Sequence, residues 1–297
     1  MSKAPTIAIL FDKSTRDDDI QMYRIWHLAN AWREQGFRVE IVRNLSELEE
    51  ADLVVPQIDI SVIPEEYRPL LKLSTPVVNR SVVDIRKSAF SQYLVSPDDD
   101  YDGPVIVKSD CNCGGGPERR ALRGNPLHKR ITQKVHASLR ALGQITASRS
   151  LNHLAYVNGI KPINYPVYES KSQVPRAVFA NPVLVVEKFL PEQEGDHYYL
   201  RSYAFFGNEG CAVRTRASCP VVKGAVGSDI EFVPVDAAII AAREELGFDY
   251  GKFDYTIHNG EAILFDTNTT PTFGKAYPDA VRSKIVSQLS RGVSTWL

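Results

Sequence analysis

The chain has 297 residues, 43% of them hydrophobic and 24% charged, with a formal net charge of −1. That length holds about two domains of roughly 150 residues each and leaves room for a sizeable core. The near-neutral charge makes no electrostatic case for nucleic acid or an anionic membrane surface, no apolar run approaches the ~18 residues of a spanning helix, and the opening "MSKAPTIAIL" lacks the basic-then-apolar pattern of a signal peptide. A cytoplasmic location is the default expectation. Cys111 and Cys113 stand as Cys-x-Cys, and Cys211 and Cys219 as Cys-x7-Cys, with no histidine nearby at ligand spacing. Free thiols in a reducing compartment suit that pattern better than structural zinc.

The first segment alternates strand and helix patterns. "TIAILF" (6–11) reads as a strand, and 19–37 as a helix with Met22, Ile25, Trp26, Ala29 and Trp32 at helical spacing and Gly36 as its stop. Strands follow at 38–42, 51–58 and 76–79, with a short helix at 64–73 opened by Pro64. This predicts a parallel sheet with helices on both faces. The turn after the first strand, "FDKSTRDDD", has no glycine, so a dinucleotide fingerprint is missing. A helix pattern covers 82–95, a strand runs to Lys108, and three glycines follow. Residues 127–148 look helical, with Lys129, Arg130 and Lys134 on a solvated face. A buried-type strand running into a turn at 182–196, a hairpin at 197–218 turning at Gly207-Asn208-Glu209-Gly210, a helix at 235–248 and a hairpin turning at Asn259-Gly260 complete the pattern.

Three stretches carry chemistry. In "FDYTIHNGEAILFDTNTTPT" (253–272), a two-residue Asn-Gly turn sets His258 opposite Glu261 and brings Asp254 near Phe265 and Asp266. Asp266 and Asn268 share a strand face. Two carboxylates and an amide oxygen suit a hard cation such as Mg2+; the plain alternative is an acidic strand end facing water. The apolar "AILF" before Asp266 argues for burial, where an unpartnered acid is costly. In "VIVKSDCNCGGG", Lys108 leaves a buried strand just before Gly114, Gly115 and Gly116, whose backbone N–H groups can close over phosphates. The lysine precedes the glycines, so this is not a Walker loop. In "VLVVEKFLPEQEGD", a strand that stops at Glu187-Lys188 before Pro191 can expose a backbone edge to adenine, and Asp196 or Glu194 can take ribose hydroxyls. Taken alone, that stretch is better read as an ordinary strand with charged ends.

Taken in this order, the three stretches resemble the ATP-grasp superfamily, and within it ligases typified by D-alanine–D-alanine ligase and glutathione synthetase, over roughly residues 80–275. The resemblance implies an α/β (α+β) chain, an ATP-grasp fold preceded by a Rossmann-like parallel-sheet domain: 1–85 the N-terminal βα domain, 86–190 the small subdomain with the glycine-rich lid loop, 191–297 the C-terminal subdomain with the Mg2+-binding hairpin. It implies that Lys87 and Lys108 contact ATP phosphates under a loop containing Gly114, Gly115 and Gly116. Glu187, with the backbone of Lys188 and Leu190, would hold adenine, and Asp196 the ribose. Asp254, Asp266 and Asn268 would bind one or two Mg2+ (Mn2+ would suit the same oxygens), and Arg214 or Arg216 would face the transferred phosphoryl group. The implied activity is an ATP-dependent carboxylate–amine (or thiol) ligase working through an acyl phosphate on small-molecule substrates, with a homodimer allowed and no nucleic-acid or membrane partner. A phosphotransferase, or a nucleotide-binding protein without ligase activity, remains the alternative. Three features depart from the family pattern: Asp266 stands where glutamate is usual, two cysteines sit in the glycine loop, and the stretch between that loop and "VVEKFL" is long.

Overall fold

The computed structural model describes residues 3–13, 15–118, 165–222, 229–274 and 277–297. The run TIAILF forms β1 (Thr6–Phe11) with all six residues buried. Strands β2 (Arg38–Val42) and β3 (Leu53–Gln57) flank it in parallel. A strand apolar on both faces belongs in the middle of such a sheet.

The helix expected over 19–37 is instead two pieces, α1 (Asp17–Ile20) and α2 (Arg24–Glu34). Between them Tyr23 is extended and bridges Thr272, Arg24 N–H donates to the Pro271 carbonyl, and Phe273 N–H donates to that of Met22. A tertiary pairing overrides the local helical pattern and leaves Met22 exposed. The helix expected at 64–73 is a 3-10 segment, Glu65–Lys72, with Pro69 inside it; proline cannot supply the N–H that an α-helix needs. The strand expected at 76–79 shrinks to one bridge, Val54 to Val77, before Asn79 turns the chain at φ 58°. Of the helix pattern at 82–95 only α3 (Lys87–Phe90) is helical, because Asp84 bridges Val62.

Next come β4 (Val105–Ser109), β5 (Val167–Tyr168), α4 (Arg176–Phe179) and β6 (Leu184–Lys188), with β4 central and antiparallel to both neighbours. The helix expected over 127–148, with Lys129, Arg130 and Lys134, lies outside the described residues. The remaining strands are β7 (Glu192–Glu194), β8 (His197–Phe206), β9 (Glu209–Ala217), β10 (Ile230–Val233), β11 (Tyr250–His258) and β12 (Glu261–Asn268). They form one antiparallel sheet ordered β10-β9-β8-β11-β12, with β7 on β8. Helix α5 (Ala237–Glu245) starts at Asp236, whose carboxylate accepts from Ala238 N–H. Helix α6 (Asp279–Ser290) is followed by a 3-10 segment, Arg291–Thr295; its buried Ile285 and Leu289, four apart, are a helical signal that the sequence reading missed.

The chain divides into two compact units, Met1–Asp84 with Pro191–Leu297, and Ile85–Leu190. In the first unit one core joins Ile7, Ile9 and Phe11 of β1, Ile25, Leu28 and Trp32 of α2, Phe206 and Tyr250 of the large sheet, and Leu289 of α6. Trp32 Nε1 donates to the Ser290 carbonyl at 2.9 Å within it. In the second unit Val105, Val107, Val178, Leu184 and Val186 form a separate small core. No helix among the described residues is long and apolar enough to cross a membrane.

Candidate functional site

The β11–β12 hairpin turns at Asn259 (φ 51°) and Gly260 (φ 85°), the double positive φ of a type I′ turn. His258 then pairs with Glu261 as expected. The register shifts by one residue at Phe265, so that Asp254 pairs with Asp266 and Lys252 with Asn268. Residues directly paired across two strands share a face. Lys252, Asp254, Asp266 and Asn268 therefore form a two-by-two patch on the face that also carries the core residue Tyr250. The three expected cation ligands do come together.

The contacts within the patch add two residues that the sequence reading missed. Ser202 of β8 pairs with Asp254, and its hydroxyl donates to Asp254 Oδ1 at 2.6 Å. Lys252 Nζ donates to Asp254 Oδ2 at 2.5 Å. Burial disfavours the Lys252 ammonium, but the charge and hydrogen bond of Asp254 outweigh it and hold its pKa above the usual lysine value. Lys252 was legible, standing two residues before Asp254 and so on the same strand face; Ser202 needed the β8–β11 register. Asn268 Oδ1 accepts from the N–H of Thr270 at 2.8 Å, and Thr270 Oγ1 in turn donates to Asp59 Oδ1 at 2.8 Å. Among the described residues no group of three or more His, Cys, Asp or Glu side chains is placed to hold a metal. A divalent ion would rest on two carboxylates and a shared amide oxygen. As hard oxygen donors these fit Mg2+ in kind, with Lys252 already bound to one of them.

Arg214 and Arg216 do not join this patch. On β8 and β9, Arg201 pairs with Arg214, while Ser202 pairs with Val213. Alternation therefore puts Arg214, and Arg216 two residues on, on the sheet face opposite Asp254. Arg214 lies within ion-pair distance of Glu192, Glu194 and Glu231 and stacks over Tyr199 at 3.5 Å. Arg216 pairs with Asp229. Asp196 is exposed in the turn between β7 and β8, beside Gly195 at φ 57°.

In the unit Ile85–Leu190, Ile106 pairs with Glu187 and Lys108 lies two residues further on the same face. Lys108 Nζ stands 2.7 Å from Glu187 Oε2, both side chains almost wholly buried. The Ser91 hydroxyl donates to Glu187 Oε1 at 2.5 Å. The Glu187 carboxylate is thus engaged by Lys108 and Ser91, where the family resemblance had placed adenine. Lys188 N–H donates to the Tyr93 carbonyl, and its ammonium lies over the Tyr101 ring at 4.8 Å. After β4 the chain enters a 3-10 turn, Asn112–Gly115, in which Cys113, Gly114 and Gly115 all have positive φ. Glycine makes such consecutive left-handed steps tolerable, and Gly116 returns to right-handed backbone. Lys87 is buried at the start of α3, and its N–H donates to the Asp110 carbonyl, whose side chain accepts from Ser88 N–H and Oγ.

No family model matches this sequence, and no curated protein matches it. Among solved structures, the D-alanine–D-alanine ligase from Bacillus anthracis aligns over 99% of this chain and 96% of its own, with TM-score 0.51 and 11% identity. The chain has the fold of that ligase. An ATP-grasp protein described as a RimK domain protein, from Sphaerobacter thermophilus DSM 20745, aligns over 98% of this chain and 99% of its own at 11% identity and TM-score 0.47. The macrocyclase MdnB from Microcystis aeruginosa MRC aligns over 98% of each chain at 9% identity and TM-score 0.44. At these identities the ATP-grasp likeness concerns the fold.

Proposed function

We propose that this chain is an ATP-dependent ligase that joins a small carboxylate to an amine or thiol through an acyl phosphate, releasing ADP and phosphate. The facing carboxylates of Asp254 and Asp266, with Asn268 on the same face, carry this reading. In a strand pair, like charges directly opposed are destabilising; Lys252 already meets Asp254, and a divalent cation would meet both acids.

Lys108, fixed by Glu187 and Ser91, presents a preorganised charge to phosphate oxygens. The positive-φ run at Cys113, Gly114 and Gly115 offers backbone N–H groups to the same anions, with Gly116 and Lys87 beside it. Because Glu187 holds Lys108, adenine recognition falls to the main chain of Lys188 and Leu190, and Asp196 serves the ribose. Asp254, Asp266 and Asn268 would hold Mg2+ or Mn2+. Such an ion screens the negative charge of phosphates and of a carboxylate nucleophile. Arg214 and Arg216 lie on the other sheet face from this patch, where Lys252 is the cation beside Asp254.

A coupled ADP-release screen of amino acids and small carboxylates with Mg2+ tests the reaction. The ligase releases ADP only when carboxylate and nucleophile are both present, and frees phosphate into solution. Phosphate retained on the product would make it a phosphotransferase. Nucleotide that fails to bind in calorimetry would remove the reading altogether.

A further inference from the structure

The cation proposed for the hairpin carboxylates has a stand-in within the chain. We propose that Lys252 is a resident counter-ion which a divalent metal must displace from Asp254, so that this lysine sets the metal affinity of the site. The inference rests on the reading of Asp254 and Asp266 as cation ligands.

Both oxygens of Asp254 are occupied, Oδ1 by the Ser202 hydroxyl and Oδ2 by the Lys252 ammonium. A hydroxyl is a neutral donor and leaves the carboxylate charge available. An ammonium at 2.5 Å neutralises it and repels a second cation at the same oxygens. Lys252 is also diagonal to Asp266 and close enough for that charge to favour its ammonium. The ammonium thus lies against one of the two opposed acids and within reach of the charge of the other.

Its retreat is restricted on one side. Arg24, at the start of α2, is buried, and its charge acts against the Lys252 ammonium. Among the described residues Arg24 has no carboxylate at ion-pair distance; its Nε donates to the Thr272 carbonyl and its guanidinium stacks over Phe273 at 4.8 Å. The ammonium on its four-carbon stem has Asp254 as its best partner until a stronger cation arrives. Lysine suits this part because its charge is compact and its stem flexible.

The consequence has an unusual sign. Deleting a true ligand weakens metal binding, whereas deleting Lys252 strengthens it. Mn2+ binding to the nucleotide-free full chain, followed by electron paramagnetic resonance of free Mn2+, reads this without turnover. Lys252→Met tightens Mn2+ binding on the order of tenfold, and Asp266→Asn weakens binding in either background. In thermal melts Lys252→Met loses stability without metal and regains it with Mn2+ more than wild type does. Lys252→Gln makes the same comparison if the methionine variant fails to fold. Equal or weaker binding in the Lys252→Met and Lys252→Gln proteins, with Asp266→Asn still weakening it, overturns the counter-ion role and leaves the metal site standing. Mn2+ binding indifferent to Asp266→Asn overturns both.

Discussion

Glu187→Ala removes the carboxylate that faces the buried Lys108 ammonium inside the unit Ile85–Leu190. The pair is separated by 2.7 Å, with 9% of the Lys108 side chain and 1% of the Glu187 side chain exposed. At an effective dielectric of about 20, that separation corresponds to an attraction of about 6 kcal/mol. Desolvation of both charges offsets much of it in the intact protein, but removing Glu187 leaves a buried ammonium without that carboxylate, a loss of about 3–5 kcal/mol. Replacing both, as Lys108→Met with Glu187→Leu, keeps apolar volume without stranded charge and is expected to fall within about 1 kcal/mol of wild type. In the cycle of Lys108→Met, Glu187→Leu and the double variant, each single change leaves a buried charge without the other of the pair and the double change does not, so the coupling is about 5 kcal/mol or more. The probe matters, because Trp26, Trp32 and Trp296 all lie in the other unit. Tryptophan fluorescence would miss the effect, so hydrogen exchange of the β4 and β6 amides is the assay. A loss below about 1 kcal/mol for Glu187→Ala is the range of exposed ion pairs. It would refute the claim that Glu187 holds Lys108 in a buried, preorganised position.

Two further outcomes are expected. Asp266→Asn raises the Mg2+ needed for half-maximal ADP release by roughly tenfold or more while the melting temperature stays near wild type; an unchanged Mg2+ curve would remove Asp266 from the ligand set. Stability falls as pH rises from about 9 to 11, because burial pushes the Cys211 thiol up from 9.0 to about 11: the unfolded thiol loses its proton first, and stability falls where the unfolded state binds fewer protons. The buried hydroxyls of Tyr250 and Tyr67, raised mainly by desolvation, act with the same sign from about pH 10 upward. Urea midpoints that hold steady across that window would contradict it, as would native-state labelling of Cys211 as fast as that of the exposed Cys113 and Cys219.

Elements whose signals are local were legible from sequence. Strand β1 has the expected bounds, and both large hairpins follow from their turn residues, Gly207-Asn208 and Asn259-Gly260. The shared face of Asp266 and Asn268 needed only the two-residue period of a strand. What failed depended on distant partners. Helix α2 begins at Arg24 because residues 271–273 claim the backbone before it. Arg214 and Arg216 have a readable parity within β9, but which face that parity meets is decided by the register of β8 against β9 and β11. Glu187, expected to hold adenine, is set beside Lys108 by the β4–β6 pairing, which no local signal reveals.

The interrupted first unit bears on biosynthesis. The apolar stripe of α2, with Ile25, Leu28 and Trp32, lies against Phe206, Tyr250 and Leu289. When the ribosome finishes residue 84, none of those partners exists. At about 5–20 residues per second, the roughly 200 residues still to come take about 10–40 s. Throughout that interval a nascent three-stranded parallel sheet carries an uncovered helix face, the kind of surface that invites a chaperone or a wrong neighbour. Yield of this protein in cells should therefore respond to translation speed across residues 85–290 more than to speed across the first 84.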